Sequence, residues 1–89
     1  MTDYHARFVE LSRQLEPHLS QESFDEIARY LDHHENSLAL EAMVIEICRM
    51  GKVPVSLDRE RIRVWMQKME LDTEPALEEG VYERFTNLP

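Results

Sequence analysis

The segment from Ser37 to Met50 constrains the fold most, because it is almost entirely apolar and yet short. Only Glu41, Glu46 and Arg49 carry charge within it. A buried strand is the alternative for an apolar run, but fourteen residues rich in leucine, alanine, methionine and glutamate favour a helix. With so few polar positions, this helix is expected to be central, with neighbours on most sides, and Gly51 is expected to end it.

Two amphipathic helices are predicted before this segment. Apolar residues at helical spacing predict a first helix over about residues 3–16, which ends before Pro17 because proline displaces its predecessor from the helical region. Ser20 is expected to cap a second helix over about residues 21–33, with Leu19 packing on Phe24 as a hydrophobic staple. The inward positions of the two helices are Tyr4, Phe8, Leu11 and Leu15, then Phe24, Ile27, Ala28 and Leu31.

Two further helices are predicted after it. The connector Val53–Ser56 contains Pro54 and is expected to be extended, and Ser56 or Asp58 is expected to cap the fourth helix. That helix carries its apolar residues at Ile62, Trp65, Met66 and Met69. A short fifth helix is predicted to start at Glu74 and Pro75, although Gly80 interrupts its weak apolar stripe.

These elements predict an all-α fold, a compact bundle of four to five antiparallel helices in a single domain over residues 1–89. No apolar run reaches the length that a membrane span needs, so no membrane partner is expected. The N-terminal residues lack the pattern of a signal peptide, and the lone Cys48 cannot form an internal disulfide. We therefore expect a cytoplasmic protein.

Charge is abundant and unevenly distributed. The chain has 18 acidic and 10 basic residues, for a net charge of −8. Residues 16–46 hold eight acids and one base, Arg29, while residues 70–83 hold six acids and no base. Such a chain repels phosphate backbones, so direct binding of nucleic acid is not expected, whereas a basic protein would be attracted. The simpler interpretation is the solvated surface of an acidic protein.

Between the two acidic segments lies a basic one, with Arg59, Arg61 and Arg63 spaced by two residues. This spacing spreads them around a helix, so they do not form one stripe that could grip phosphate. We expect them to pair with nearby acids such as Asp58 and Glu60, or with the acidic face of the second helix.

The outward face of the second helix is the predicted partner-binding surface. It continues through the turn DHHE and, in this prediction, as far as Glu41. The surface would attract a basic protein and could imitate a phosphate backbone or block a cationic active site. Its predicted residues are Glu22, Asp25, Glu26, Arg29, Asp32, His33, His34, Glu35 and Glu41.

Few residues suggest catalysis or metal binding. Asp32, His33, His34 and Glu35 are suitable ligand types, but adjacent histidines diverge on a helix, where ligands normally stand three or four residues apart. The end of a helix, where histidine is favoured by the dipole, explains them more simply. Cys48 is expected to be a buried, inert thiol. We therefore predict a protein that is not an enzyme and has no metal or cofactor.

The order of these motifs resembles the MafI-type immunity proteins, which are small acidic helical antitoxins of bacterial polymorphic and contact-dependent toxin systems. The resemblance covers about residues 20–72. It is carried by a helix that ends in YLDHHENSLALEAMVIEIC, the connector VPVS, and the helix RERIRVWMQKMELD. The matching positions are Asp32, His33, Glu35 and Leu38 to Glu41 in the turn and helix start, with Val53, Pro54, Val55 and Ser56 in the connector.

The resemblance implies a protein that binds and blocks a cognate toxin, frequently a nuclease, without performing chemistry. Two other functions stay open from the residues alone. One is a regulatory or adaptor domain that binds a partner helix through an apolar groove rich in methionine. The other is a small metalloenzyme that uses His33 and His34. More simply, Met43, Met50, Met66 and Met69 fill the core.

Overall fold

The computed structural model describes residues 3–89 and is all-helical over that range. It contains five α-helices, and a short 3-10 turn, Glu16–His18, follows the first of them. The helices are α1 (Tyr4–Leu15), α2 (Gln21–Asp32), α3 (Asn36–Met50), α4 (Arg59–Lys68) and α5 (Val81–Thr86). The predicted all-α class and helical bundle are confirmed. None of the helices in residues 3–89 is both long and apolar enough to cross a membrane.

Helix α3 is the centre of the bundle, as predicted. It packs against α1, α2 and α5. Its side chains at Leu40, Met43, Val44 and Ile47 have no exposed surface. Because neighbours cover α3 on several sides, its sequence is apolar nearly all round instead of along one stripe. Gly51 ends the helix with a left-handed φ of 81°, a conformation that glycine adopts at little cost.

Side chains cap three of the helices. The Ser20 hydroxyl accepts a hydrogen bond from the Ser23 N–H at 3.1 Å, and the Asp58 carboxylate accepts one from the Arg61 N–H at 3.0 Å. The Ser20 cap is confirmed, and of the two candidates for α4 the structure selects Asp58. Asp3 caps α1 in the same way, by accepting from the Ala6 N–H at 3.1 Å. These bonds satisfy N–H groups that have no partner within their helix.

Replacement of the α4 cap tests this assignment. Asp58→Ala is expected to lower the free energy of unfolding by about 1 kcal/mol, because the Arg61 N–H loses its acceptor. Urea unfolding followed by circular dichroism measures the change. Ser56→Ala is the matched control, since Ser56 makes no capping bond, and it should leave stability within about 0.5 kcal/mol. An equal loss in both variants would contradict the assignment.

Two helices end with a residue other than glycine in the left-handed region. His34 has φ of 54° and follows α2, and Glu70 has φ of 61° and follows α4. After α2 the His34 N–H donates to the Leu31 carbonyl at 3.0 Å and the Glu35 N–H to the Tyr30 carbonyl at 2.9 Å. This pattern is a Schellman motif, which turns the chain sharply from α2 into α3.

Two predictions about connections are wrong. The segment after Pro54 is not extended, because the Leu57 N–H donates to the Pro54 carbonyl at 3.0 Å and closes a turn. The last helix begins at Val81 and not at Glu74. Residues 74–80 form an irregular segment, here called the strap, whose backbone N–H groups bind a side chain of α3 instead of helix carbonyls.

Candidate functional site

The outward face of α2 is exposed to solvent. On the helix, Glu22, Asp25, Glu26, Arg29 and Asp32 each lie three or four residues from another member of the set, which places them along one face. All of them are exposed. His33, His34 and Glu35, in the turn after α2, are exposed as well. These eight residues are called the acidic α2 surface below.

The carboxylates of the acidic α2 surface have no cationic partner among residues 3–89. Gln21 donates a hydrogen bond to Asp25 at 2.7 Å, but no ion pair involves an acid of this surface. Arg29, on the same surface, forms no ion pair in this part of the chain either. The surface therefore presents its negative charge to solvent or to a binding partner.

The arginines of α4 are engaged within their own neighbourhood. Arg61 lies 3.9 Å from Asp58, and Arg63 forms an ion pair with Glu60. The predicted pairing with nearby acids is confirmed for Arg61 and Arg63 but not for Arg59, and no ion pair joins these arginines to the acidic face of α2. The hydrogen bond from Arg63 lowers the pKa of the Glu60 carboxyl below its usual range.

Arg59 is engaged differently from the other two arginines. Its guanidinium donates to the Leu88 carbonyl and, at 3.0 Å, to the Pro89 carbonyl. Arg59 therefore holds the C-terminal residues against α4. It forms no ion pair with the acidic α2 surface.

The two adjacent histidines have structural partners. The His33 Nδ1 lies 2.8 Å from the Arg29 carbonyl, where it closes the end of α2. The His34 ring stacks on that of His5, with centroids 4.1 Å apart and an angle of 6° between the rings. His5 in turn hydrogen bonds to the Asn36 side chain at 2.9 Å. The DHHE turn thus joins the start of α1 to the junction of α2 and α3.

The stacking of His5 on His34 was not predicted, since sequence spacing alone gives no reason to bring residue 5 to residue 34. Within residues 3–89 no three side chains of histidine, cysteine, aspartate or glutamate come together in a group that could hold a metal ion. Two parallel stacked rings also direct their nitrogens sideways, not towards one shared point. The turn is a helix junction with an exposed acidic edge.

Glu41 does not belong to the exposed surface, so that part of the prediction is wrong. Its side chain is 0% exposed. Its carboxylate accepts three backbone hydrogen bonds from the strap, from Ala76 at 2.8 Å, Leu77 at 2.8 Å and Glu78 at 2.7 Å. A buried charge is stable only where such donors replace water, and three N–H groups in succession provide them. Glu41 is therefore an anchor inside the fold.

The sequence contained a signal for this role. On a helix, residue 41 shares a face with residues three and four positions away, which include Leu38, Val44 and Ile45. A carboxylate on such an apolar face needs buried donors. The strap contains Pro75 and Gly80, which disfavour a continuous helix, so some of its backbone N–H groups would lack helical acceptors. These N–H groups were candidate donors to the Glu41 carboxylate.

A cleft runs between α2 and α3 beside the acidic α2 surface. Its volume is about 400 Å³, at the small end of the range of about 300–1,000 Å³ for organic ligands. Ser23 on α2 and Ala42 on α3 are small side chains and leave the space open. Ile27 and Ala42, which are buried, also line it, as does Leu77 of the strap, which is 43% exposed.

Charge in this cleft is mainly negative. Glu22 and Glu26 come from α2, and Glu46 and Arg49 come from α3. The Arg49 guanidinium lies 2.6 Å from the Glu46 carboxylate, so this pair is internally neutral. Glu22 and Glu26 remain as two carboxylates, one helical turn apart, that form no ion pair within residues 3–89.

The connector that carries part of the family resemblance forms a second exposed feature. Val55 is fully exposed at the tip of the turn, and Val53 and Pro54 are half-buried. A depression of about 260 Å³ lies beside it and is also lined by Met50 and Lys52. Its side chains are mostly apolar.

Within residues 3–89, Cys48 is buried and the methionines lie in the core or at its edge. Burial raises the pKa of the Cys48 thiol, as expected for an inert cysteine. Met43 and Met66 are fully buried in the core, as predicted, whereas Met50 and Met69 are half-buried at its edge. A groove lined by all four methionines is therefore not present in the described fold.

No protein-family model, no curated protein and no solved structure matches the chain.

Proposed function

We propose that this protein is a non-enzymatic immunity protein, an antitoxin that binds a basic bacterial toxin domain through its acidic α2 surface. The toxin is proposed to be a nuclease, whose cationic site would be covered by carboxylates that stand in place of phosphates. The observation that carries the proposal is that no ion pair within residues 3–89 compensates the negative charge of this surface. The carboxylates of α2 have no cationic partner in residues 3–89, while four of the other acids pair with arginines.

Physical cost supports this assignment of the surface. A row of like charges along one helix face destabilises the helix slightly, and nearby arginines could relieve it. In this chain the arginines of α4 contact their own helix and the C-terminal residues instead. An acidic face that no internal cation balances raises the rate of association with a basic partner by roughly ten- to a thousandfold at low salt.

The family resemblance supports the class of partner. The matched turn, Asp32 to Glu35, lies at the exposed end of the acidic α2 surface, and the matched connector presents a fully exposed Val55. Both matched segments thus include exposed residues that a partner could contact. Glu41, matched as well, supports the fold and is not proposed as a contact.

Charge reversal on the surface tests the proposal. The triple variant Asp25→Lys, Asp32→Lys, Glu35→Lys is expected to slow association with the product of the neighbouring reading frame by about a hundredfold at low ionic strength. It should also lose the ability to rescue cells that express that product. Surface plasmon resonance at several salt concentrations measures the rates, and the wild-type association rate should itself fall as salt rises.

The matched control reverses three exposed acids elsewhere, Glu10→Lys, Glu16→Lys and Glu83→Lys. This variant has the same net charge as the first one, so it separates the local surface from total charge. It should retain rescue and most of the association rate. Equal effects of both variants, or unchanged binding in the first, would remove the acidic α2 surface from the proposal. Salt-independent binding would favour the adaptor function, with an apolar groove as the contact.

A further inference from the structure

We infer that the cleft between α2 and α3 takes one arginine side chain of the basic partner, with the guanidinium at Glu22 and Glu26 and the alkyl stem along Leu77. This inference rests on the proposed function and adds the contact chemistry to it. The cleft combines two features that one side chain must match together. These are apolar lining residues, among them Ile27, Ala42 and Leu77, and a pair of carboxylates on α2.

Charge excludes most other occupants. An anion would face Glu22, Glu26 and the Glu46 carboxylate, and only Arg49 opposes them. A purely apolar side chain would cover the carboxylates without replacing their hydrogen bonds to water, which is costly. A cation on an apolar stem satisfies both parts, because its stem covers Leu77 while its head meets the carboxylates.

Arginine fits better than lysine for a reason of geometry. Glu22 and Glu26 stand four residues apart on one face of α2, so their carboxylates flank the same space. A planar guanidinium has five N–H donors and can serve two carboxylates at once, and it sheds water more easily than an ammonium group. Arg49 does not occupy this role, because it is bound to Glu46 at 2.6 Å on the α3 side.

The strap completes the cleft. Leu77, which lines it, is fixed by its own backbone, since the Leu77 N–H donates to the buried Glu41 carboxylate at 2.8 Å. The side chain remains 43% exposed, although it lines the same cleft as the buried Ile27 and Ala42. An alkyl stem laid on Leu77 would remove this apolar area from water.

The experiment uses the whole chain and a small probe. The ¹⁵N-labelled protein is titrated with N-acetyl-arginine methylamide, and the backbone amide signals are followed by NMR. Saturable shifts are expected at Ser23, Ala42 and Leu77. The citrulline analogue, which has nearly the same shape but no charge, should give no saturable shift at these amides. Shifts that are scattered over the surface, or equal with citrulline, would overturn the inference.

Variants locate the charge. Glu22→Gln with Glu26→Gln is expected to weaken binding of the arginine probe about tenfold, because two charge-assisted contacts are lost. Glu10→Gln with Glu83→Gln removes the same net charge from exposed positions elsewhere and should change it by less than about twofold. Equal weakening in both pairs would overturn the inference. Spectra of the unliganded variants verify that each is folded.

The outcome is separable from that of the proposed function. If the probe does not bind the cleft while the Lys triple variant still loses its toxin, the arginine site is wrong and the antitoxin function stands. If the probe binds as described and no basic partner depends on the acidic α2 surface, the arginine site stands and the antitoxin function is wrong.

Discussion

Glu41→Ala is expected to lower the free energy of unfolding by about 3–5 kcal/mol, a large share of the stability of a small domain. The wild-type carboxylate is completely buried and accepts from the N–H groups of Ala76, Leu77 and Glu78. Alanine leaves these three donors without an acceptor and also opens a cavity in the side of α3. Urea unfolding followed by circular dichroism gives the change.

Glutamine at the same position distinguishes charge from shape. Glu41→Gln keeps the volume but replaces one acceptor oxygen with an NH₂ group that meets a backbone N–H. We expect its loss of stability to lie between those of wild type and alanine, at about 2 kcal/mol. Hydrogen exchange at Ala76, Leu77 and Glu78 should become faster in both variants, since these amides are the donors.

Glu26→Gln is the matched control, an exposed glutamate with no ion pair in residues 3–89, and it should change stability by no more than about 0.5 kcal/mol. If Glu41→Ala cost less than about 1 kcal/mol and the three amides kept their protection, the carboxylate would not be what fixes the strap. The strap would then be held by the packing of its apolar side chains alone.

The first four helices were predictable because local signals and burial agree there. Ser20 is both a good cap and the residue before an amphipathic stretch, and Gly51 follows the apolar run of α3 directly. The start of α5 was not predictable in this way. Pro75 favours a helix start locally, but the donors that follow it bind a carboxylate 35 or more residues earlier in the chain.

The candidate site shows the same division. Exposure of the α2 residues follows from the period of the helix, so the acidic α2 surface could be derived from sequence. The sequence could not show whether the arginines of α4 neutralise this surface, because that depends on how the helices are placed in space. For Glu41 the periodicity gave an apolar neighbourhood, and its charge was nevertheless taken as a sign of exposure. Charge is a weaker guide to exposure where backbone donors can reach the position.

Phe8→Ala is expected to cost about 3–5 kcal/mol, the usual range for removing a buried aromatic ring. Phe8 has no exposed surface. Its ring meets that of Trp65 on α4 edge-on, with centroids 5.5 Å apart, and lies 6.0 Å from the ring of Tyr4. The ring therefore joins α1 to α4, and its loss leaves a cavity between them.

The measurement has a local reporter, because Trp65 is the only tryptophan. Its emission should shift in Phe8→Ala under conditions where the protein stays folded. Phe24→Ala is the matched control, since Phe24 is half-buried on α2 and should cost clearly less, at about 1–2 kcal/mol. Equal costs, or an unchanged Trp65 emission, would contradict the position of Phe8 in the core.

Phe8→Ala also calibrates the binding experiments. A side chain with no exposed surface cannot contact a toxin, so any loss of affinity in this variant measures the effect of instability alone. The exposed substitutions Asp25→Lys, Asp32→Lys and Glu35→Lys are expected to change stability little and association strongly. If a partner binds the Phe8→Ala variant at low temperature with wild-type affinity but binds the triple reversal weakly, it must contact the acidic α2 surface.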